Sequence, residues 1–135
     1  MAKKSWVYSP RKQAAAKVPD TLKQTLKDKA HELVNTVLIP QSVKPPPEGY
    51  QFNYLVNIYT QWYRHYFYFC STYHSPGPNA ISPSFEDKFA RLEYVGEDRF
   101  NLAYMRYTGQ WQEIAEDISF DEALAMIKES GHFHP

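Results

Sequence analysis

Few of the residue patterns that usually announce a chemistry are present. The chain has a single cysteine, Cys70, so it cannot close an internal disulfide, and a lone thiol suits a reducing compartment. Nothing approaches the ~18 consecutive apolar residues that a membrane span needs. The opening MAKKSWVYSP carries two lysines but runs into RKQAAAK instead of an apolar stretch, so it does not read as a secretory signal. These absences lead to the expectation of a cytoplasmic protein with no membrane contact. The phosphate-cradling patterns G-x-G-x-x-G and G-x-x-x-x-G-K-[ST] are missing, as is the G-x-S-x-G elbow of many hydrolases. Zinc-type Cys and His spacings are missing too. No cofactor and no metal are expected.

What is abundant is aromatic surface. Eleven Tyr, eight Phe and three Trp stand in 135 residues, so Phe and Tyr are expected to supply much of the core, with many hydroxyls left to find partners or water. That length fits one domain with a modest core. The net charge is zero but unevenly spread. Up to Lys29, eight basic residues (Lys3, Lys4, Arg11, Lys12, Lys17, Lys23, Lys27, Lys29) face Asp20 and Asp28, and the remainder holds seven basic and thirteen acidic side chains. The first part is therefore +6 and the rest −6. Such a split marks either an arm for an acidic partner or a tail resting on its own acidic domain.

The hydrophobic rhythm changes twice. Residues 1–17 have no sustained period and read as a basic tail that is mobile or loosely docked; 18–135 read as one domain. Pro19 suits a first helical turn and Asp20 its positive end. Leu22, Leu26, Ala30, Leu33 and Val37 form one helical stripe, expected to stop near Leu38 because Ile39 precedes Pro40. The triple proline of VKPPPEGY reads as a stiff spacer. Phe52, Tyr54, Val56 and Ile58 then alternate as the buried face of a strand, followed by a turn at 61–64. Further strands are expected at 65–73, at 85–95 with an irregularity at Asp87–Lys88, over Phe100–Tyr104, and at 111–115. A long loop, HSPGPNAISPS, and a tight GEDR turn separate them. Ser119-Phe120-Asp121-Glu122 is a capping box opening a helix with Phe120, Ala123, Leu124 and Ile127 on one face and Gly131 at its end. The sum is an α+β fold: an N-terminal helix, a five-stranded antiparallel meander and a C-terminal helix, with both helices on one sheet face.

The stretches FARLEYVGEDRFNLAYMRYTGQWQEI and SFDEALAMIKESGHFHP, after a leading amphipathic helix and a proline break, resemble a bacterial family known as domain of unknown function 3024. The likeness rests on Arg106 before a short turn, Trp111 on the next strand, Glu122 in the acidic helix and Phe133 near the C-terminus. It spans roughly 20–135, leaving the basic tail outside, and the proline-rich loop at 74–84 is longer than that pattern. The resemblance implies a shared fold and brings no reaction or ligand.

Candidate chemistry is sparse. Cys70 cannot meet His74 along the same strand, about 13 Å away at ~3.3 Å per residue, and His65 is expected on the opposite face, so the thiol reads as buried and inert. His132 and His134 make only part of a metal site. The carboxylates Glu93 with Asp87, and Glu113 with Glu116, read as charged turns. Two surfaces are stronger. Tyr66 and Tyr68 share a strand face suited to stacking bases, and Tyr104, Arg106 and Trp111 lie across one hairpin. With Lys3, Lys4, Arg11 and Lys12 of the tail, they point to a non-catalytic module that contacts a protein partner or a second copy of itself. Single-stranded nucleic-acid binding is the alternative, and a small enzyme with a pocket between sheet and helices is a third.

Overall fold

The computed structural model describes residues 17–135; the tail lysines and arginine named above (Lys3, Lys4, Arg11, Lys12) lie outside the described residues. Helix α1 spans Asp20–Leu33, starting one residue after Pro19, which caps it in an extended conformation instead of sitting in the first turn. Leu26 and Ala30 of the expected stripe are buried, and Leu22, Leu33 and Val37 pack at its margin. The helix does not end at Leu38. It widens into a π turn over Val34–Leu38 and continues as α2, Ile39–Ser42, through Pro40. A proline inside a helix lacks an N–H and crowds the carbonyl four residues back. The wider turn just before Pro40 gives that carbonyl room. It also rotates the buried stripe, so that Val34 and Leu38 become the buried pair.

Five strands follow: β1 Tyr54–Tyr63, β2 Tyr66–His74, β3 Ser84–Gly96, β4 Arg99–Met105 and β5 Trp111–Ser119. They pair antiparallel in sequence order as one open meander. The expected strands are close, with three corrections, the first being that β5 runs on to Ser119, past the expected end at Ala115. Residues 61–63 continue β1, and the turn is only Arg64 and His65, with Arg64 at φ 56°. Phe52 lies outside the strand and is 71 % exposed, because a shift of register at Val56 breaks the simple alternation and brings Leu55, Ile58 and Trp62 to the core. The GEDR turn holds Glu97 and Asp98 at φ 54° and 59°, the left-handed pair that matches the twist of a two-residue hairpin. The irregularity expected at Asp87–Lys88 of β3 falls one residue later, as a bulge at Phe89 opposite Phe69 and Cys70.

Helix α3, Phe120–Glu129, opens on the anticipated capping box: Ser119 Oγ accepts from the Glu122 N–H at 3.1 Å while Glu122 Oε1 accepts from the Ser119 N–H at 2.9 Å. An extended Ser130, not a left-handed Gly131, stops it. Phe120, Ala123 and Ile127 are buried beside α1 residues in one core against a single sheet face. Lys29 reaches across from α1 to Asp121 at 3.2 Å. Six of the eight phenylalanines are buried there, but Tyr94 is the only buried tyrosine among the described residues. Phe, then, fills the core, whereas Tyr stays where its hydroxyl meets water or a partner, which corrects the equal weight first given to both.

Two substitutions test this description by denaturant unfolding. Ser119→Ala removes the Oγ that accepts from the Glu122 N–H and leaves the backbone half of the cap, and is expected to cost about 1 kcal/mol. Ser71 is fully buried on the core face with no partner for its hydroxyl. Ser71→Ala is therefore expected to leave stability unchanged or raise it by about 1 kcal/mol; a clear loss would reveal a partner for that oxygen.

Candidate functional site

In an antiparallel ladder, side chains of directly paired residues share a face. The pairs Trp62–Phe67, Phe67–Leu92, Leu92–Leu102 and Tyr94–Phe100 all belong to the helix-covered side. The opposite side carries Tyr59 beside Cys70, Tyr63 beside Tyr66, and the row Tyr68, Arg91, Ala103 and Glu113. Cys70 and Ala103 are buried yet stand apart from the main core. Larger side chains on this second face cover them.

Those side chains form a connected layer. Tyr66 lies 6.0 Å from Tyr68, and Tyr68 lies 5.9 Å from Trp111, measured between ring centroids. The Arg91 guanidinium sits between two rings, 5.2 Å from Tyr66 and 5.0 Å from Trp111. Lys88 Nζ lies 5.5 Å from the Tyr68 ring. Each such cation–ring contact contributes about 0.5–1 kcal/mol at a half-exposed site. Acids border the layer. The Tyr59 hydroxyl donates to Glu86 at 2.5 Å, and Glu93 lies 3.3 Å from His65 Nε2. His65 therefore turns to this same face, not to the opposite one, because the left-handed Arg64 redirects the chain before β2. It still does not serve Cys70, whose neighbours are Tyr59, Glu86 and Lys88.

Burial pushes the Cys70 thiol up, with Lys88 opposing, so the group stays protonated at neutral pH and is a poor nucleophile. Burial, reinforced by the Glu86 carboxylate, raises Tyr59 well above the ordinary phenol value. Glu113 is raised by burial first and then by the adjoining Glu116 carboxyl and by Glu93; Arg91 opposes. Two bulges in β5, near Ile114 and near Glu116–Asp117, bring Glu113 and Glu116 together while Ile114, Ala115 and Ile118 keep to the core. Glu93 and Asp87, the other carboxylate pair considered, are not brought together: Glu93 meets His65, and Asp87 pairs with Ser71.

The sequence-predicted site is thus divided. Tyr66, Tyr68 and Trp111 meet on the helix-free face. Tyr104 does not join them, because it pairs with Gln112 whereas Trp111 pairs with Met105. Tyr104 faces the helix side, stacked on His132 at 4.7 Å and edge-on to Phe133. Arg106 follows β4 at the hairpin, its N–H donating to Gln110 O at 2.9 Å. Sequence reading missed Arg91, Lys88, Tyr59 and Glu86 as members of the layer. Their strand was recognised, but which residues oppose Tyr66 and Tyr68 depends on register and on the Phe89 bulge. Among the described residues no group of three or more His, Cys, Asp or Glu is placed to hold a metal ion, and no helix is long and apolar enough to cross a membrane.

Two helices on one side of an open antiparallel meander, with an aromatic and charged layer on the other, define an α+β protein in which no helix among the described residues covers the second sheet face. The chain belongs to the family described as a domain of unknown function (DUF3024), whose match runs over residues 5–135. The match takes in most of the basic segment that the sequence resemblance had left outside. No curated protein and no solved structure matches the chain.

The Glu113–Glu116 pair has a measurable consequence. A carboxyl whose value is raised on folding binds its proton more tightly in the native state, so the stability it contributes is present at low pH. That contribution is lost as pH rises from the ordinary 4.5 through the raised folded value. Glu113→Gln, which keeps the neutral shape, is expected to flatten this decline and raise the melting temperature at pH 7 relative to wild type. An unchanged pH profile of thermal unfolding would remove the pair from the account.

Proposed function

We propose that this protein is a non-catalytic binding module that receives a protein partner on the helix-free face of its sheet. The supporting observation is the mixed character of that face: Tyr66, Tyr68 and Trp111 interleaved with Arg91 and Lys88 and bordered by Glu86, Glu93, Glu113 and Glu116. Aromatic rings and arginine are the side chains that most often anchor protein interfaces, and both signs of charge let a protein surface be matched closely. Lys3, Lys4, Arg11 and Lys12 give the chain a basic segment suited to an acidic partner. The unpaired, buried thiol of Cys70 favours the cytoplasm as its place of work.

Single-stranded nucleic acid is the less favoured ligand. A phosphate backbone needs a surplus of cations, and four carboxylates border this layer. Its two cations already lie over Tyr66, Tyr68 and Trp111, the rings on which bases would stack.

The test is a calibrated interaction measurement on the full chain. Partners captured by cross-linking from native cells are purified, self-association is measured by light scattering, and affinities are compared for wild type, Tyr66→Ala and Trp111→Ala. Loss of about 2 kcal/mol of binding in each variant is expected for ring anchors. The reading fails if both variants keep full affinity. It also fails if the wild type instead binds oligonucleotides in a strongly salt-dependent way that both substitutions abolish.

A further inference from the structure

A cleft lies at the hairpin end of the sheet, where the last residues return to β4 and β5. Phe133 is buried at 7 % exposure in the core and packs edge-on against Tyr104. The Tyr73 hydroxyl donates to the Pro135 carbonyl oxygen, fixing the segment two residues further on. With Phe133 turned inward between these anchors, its neighbours His132 and His134 are exposed. Both line one cleft of about 310 Å³ together with Tyr104, Arg106 and Gly131. His132 is held there by its stack on Tyr104.

The only fixed charge in the lining is that of Arg106. The lining contains a guanidinium and two imidazoles and no carboxylate among the described residues; an adjoining cleft, which shares Arg106 and His134 with it, is lined by both Asp87 and Lys88. The three ion pairs among the described residues leave Arg106 out. The Arg106 backbone is set by the turn it opens, its N–H donating to Gln110 O and its carbonyl accepting from the Gly109 N–H, each at 2.9 Å. Gly109 stands at φ 85°, a left-handed position where glycine is at little cost. An arginine fork and imidazole N–H groups are donors that match a tetrahedral oxyanion.

We propose that this cleft binds a phosphate group through Arg106, His132 and His134. The site is separate from the aromatic layer and stands whether or not that layer binds a protein. A free phosphate and a phosphoserine side chain present the same chemistry.

Titration calorimetry on the full chain, with inorganic phosphate at ionic strength held constant by chloride, tests the site. Saturable binding is expected in wild type, weakened about tenfold in Arg106→Gln and measurably in His134→Gln. Arg106→Lys, which keeps the charge but loses the fork, is expected to fall between. In parallel, the imidazole NMR signals of His132 and His134 should move with phosphate while those of His31 and His74 stay, and circular dichroism confirms that each variant is folded. A phosphoserine peptide that binds no tighter than inorganic phosphate assigns the cleft to a free ligand; a tighter one assigns it to a modified protein. The proposal is overturned if phosphate gives no saturable signal over chloride, or if Arg106→Gln, folded, binds it as well as wild type.

Discussion

The contact on which the rest of the molecule depends is the meeting of Phe120 with Phe67 and Phe100. Phe120 is the first residue of α3, and its ring centroid lies 5.7 Å from Phe67 on β2 and 5.4 Å from Phe100 on β4. Phe67 in turn packs on Trp62 at 4.8 Å and on Phe69 at 5.6 Å, and Trp62 Nε1 donates to the Lys23 carbonyl of α1 at 3.2 Å. One ring cluster thus joins both helices to three strands. Rings of this size bury more apolar area than any aliphatic side chain, and their edge-on packing adds about 0.5–1.5 kcal/mol per pair. A sheet with one face committed in this way has a fixed register, since a slip of one residue would expose Phe67 and bury Tyr66.

That fixed register creates the aromatic face. Once Phe67, Phe69, Leu92 and Leu102 are turned to the helices, Tyr66, Tyr68, Cys70, Arg91 and Ala103 must turn away. The bulges set the details. The one at Phe89 lets both Phe89 and Ala90 reach the core and returns Lys88 to the side of Cys70. Those in β5 do the same for Ile114 and Ala115 and leave Glu113 beside Glu116. Charge on this face is mixed, with carboxylates in excess: Arg91 lies between rings and near Glu113 and Glu93. The two proposed sites therefore differ in kind. The aromatic layer mixes charges around flat rings, whereas the cleft at the C-terminal segment sets one arginine beside two imidazoles.

Elements governed by local rules could be read directly. The Ser119–Glu122 cap, the α1 stripe, the tight turn at Glu97–Asp98 and the order of the five strands depend on residues a few positions apart, or on short links that force neighbours to pair. Errors fell where a distant contact overrides a local preference. Pro40 ends a helix by its own chemistry, but the π turn and the packing of Val34 and Leu38 carry the helix past it. Tyr104 and Trp111 look alike across a hairpin, yet the pairing of Met105 with Trp111 places them on opposite faces.

By itself the sequence determined the class of fold, the capped C-terminal helix and the closeness of Tyr66 to Tyr68, because hydrophobic period and capping chemistry act over one or two turns of chain. Only the tertiary structure decided that Arg91 lies between Tyr66 and Trp111, that Glu113 meets Glu116, and that His132 and His134 flank a buried Phe133 beside Arg106. Those juxtapositions come from register, bulges and the docking of the last segment, and each is set by core packing between residues far apart in the chain.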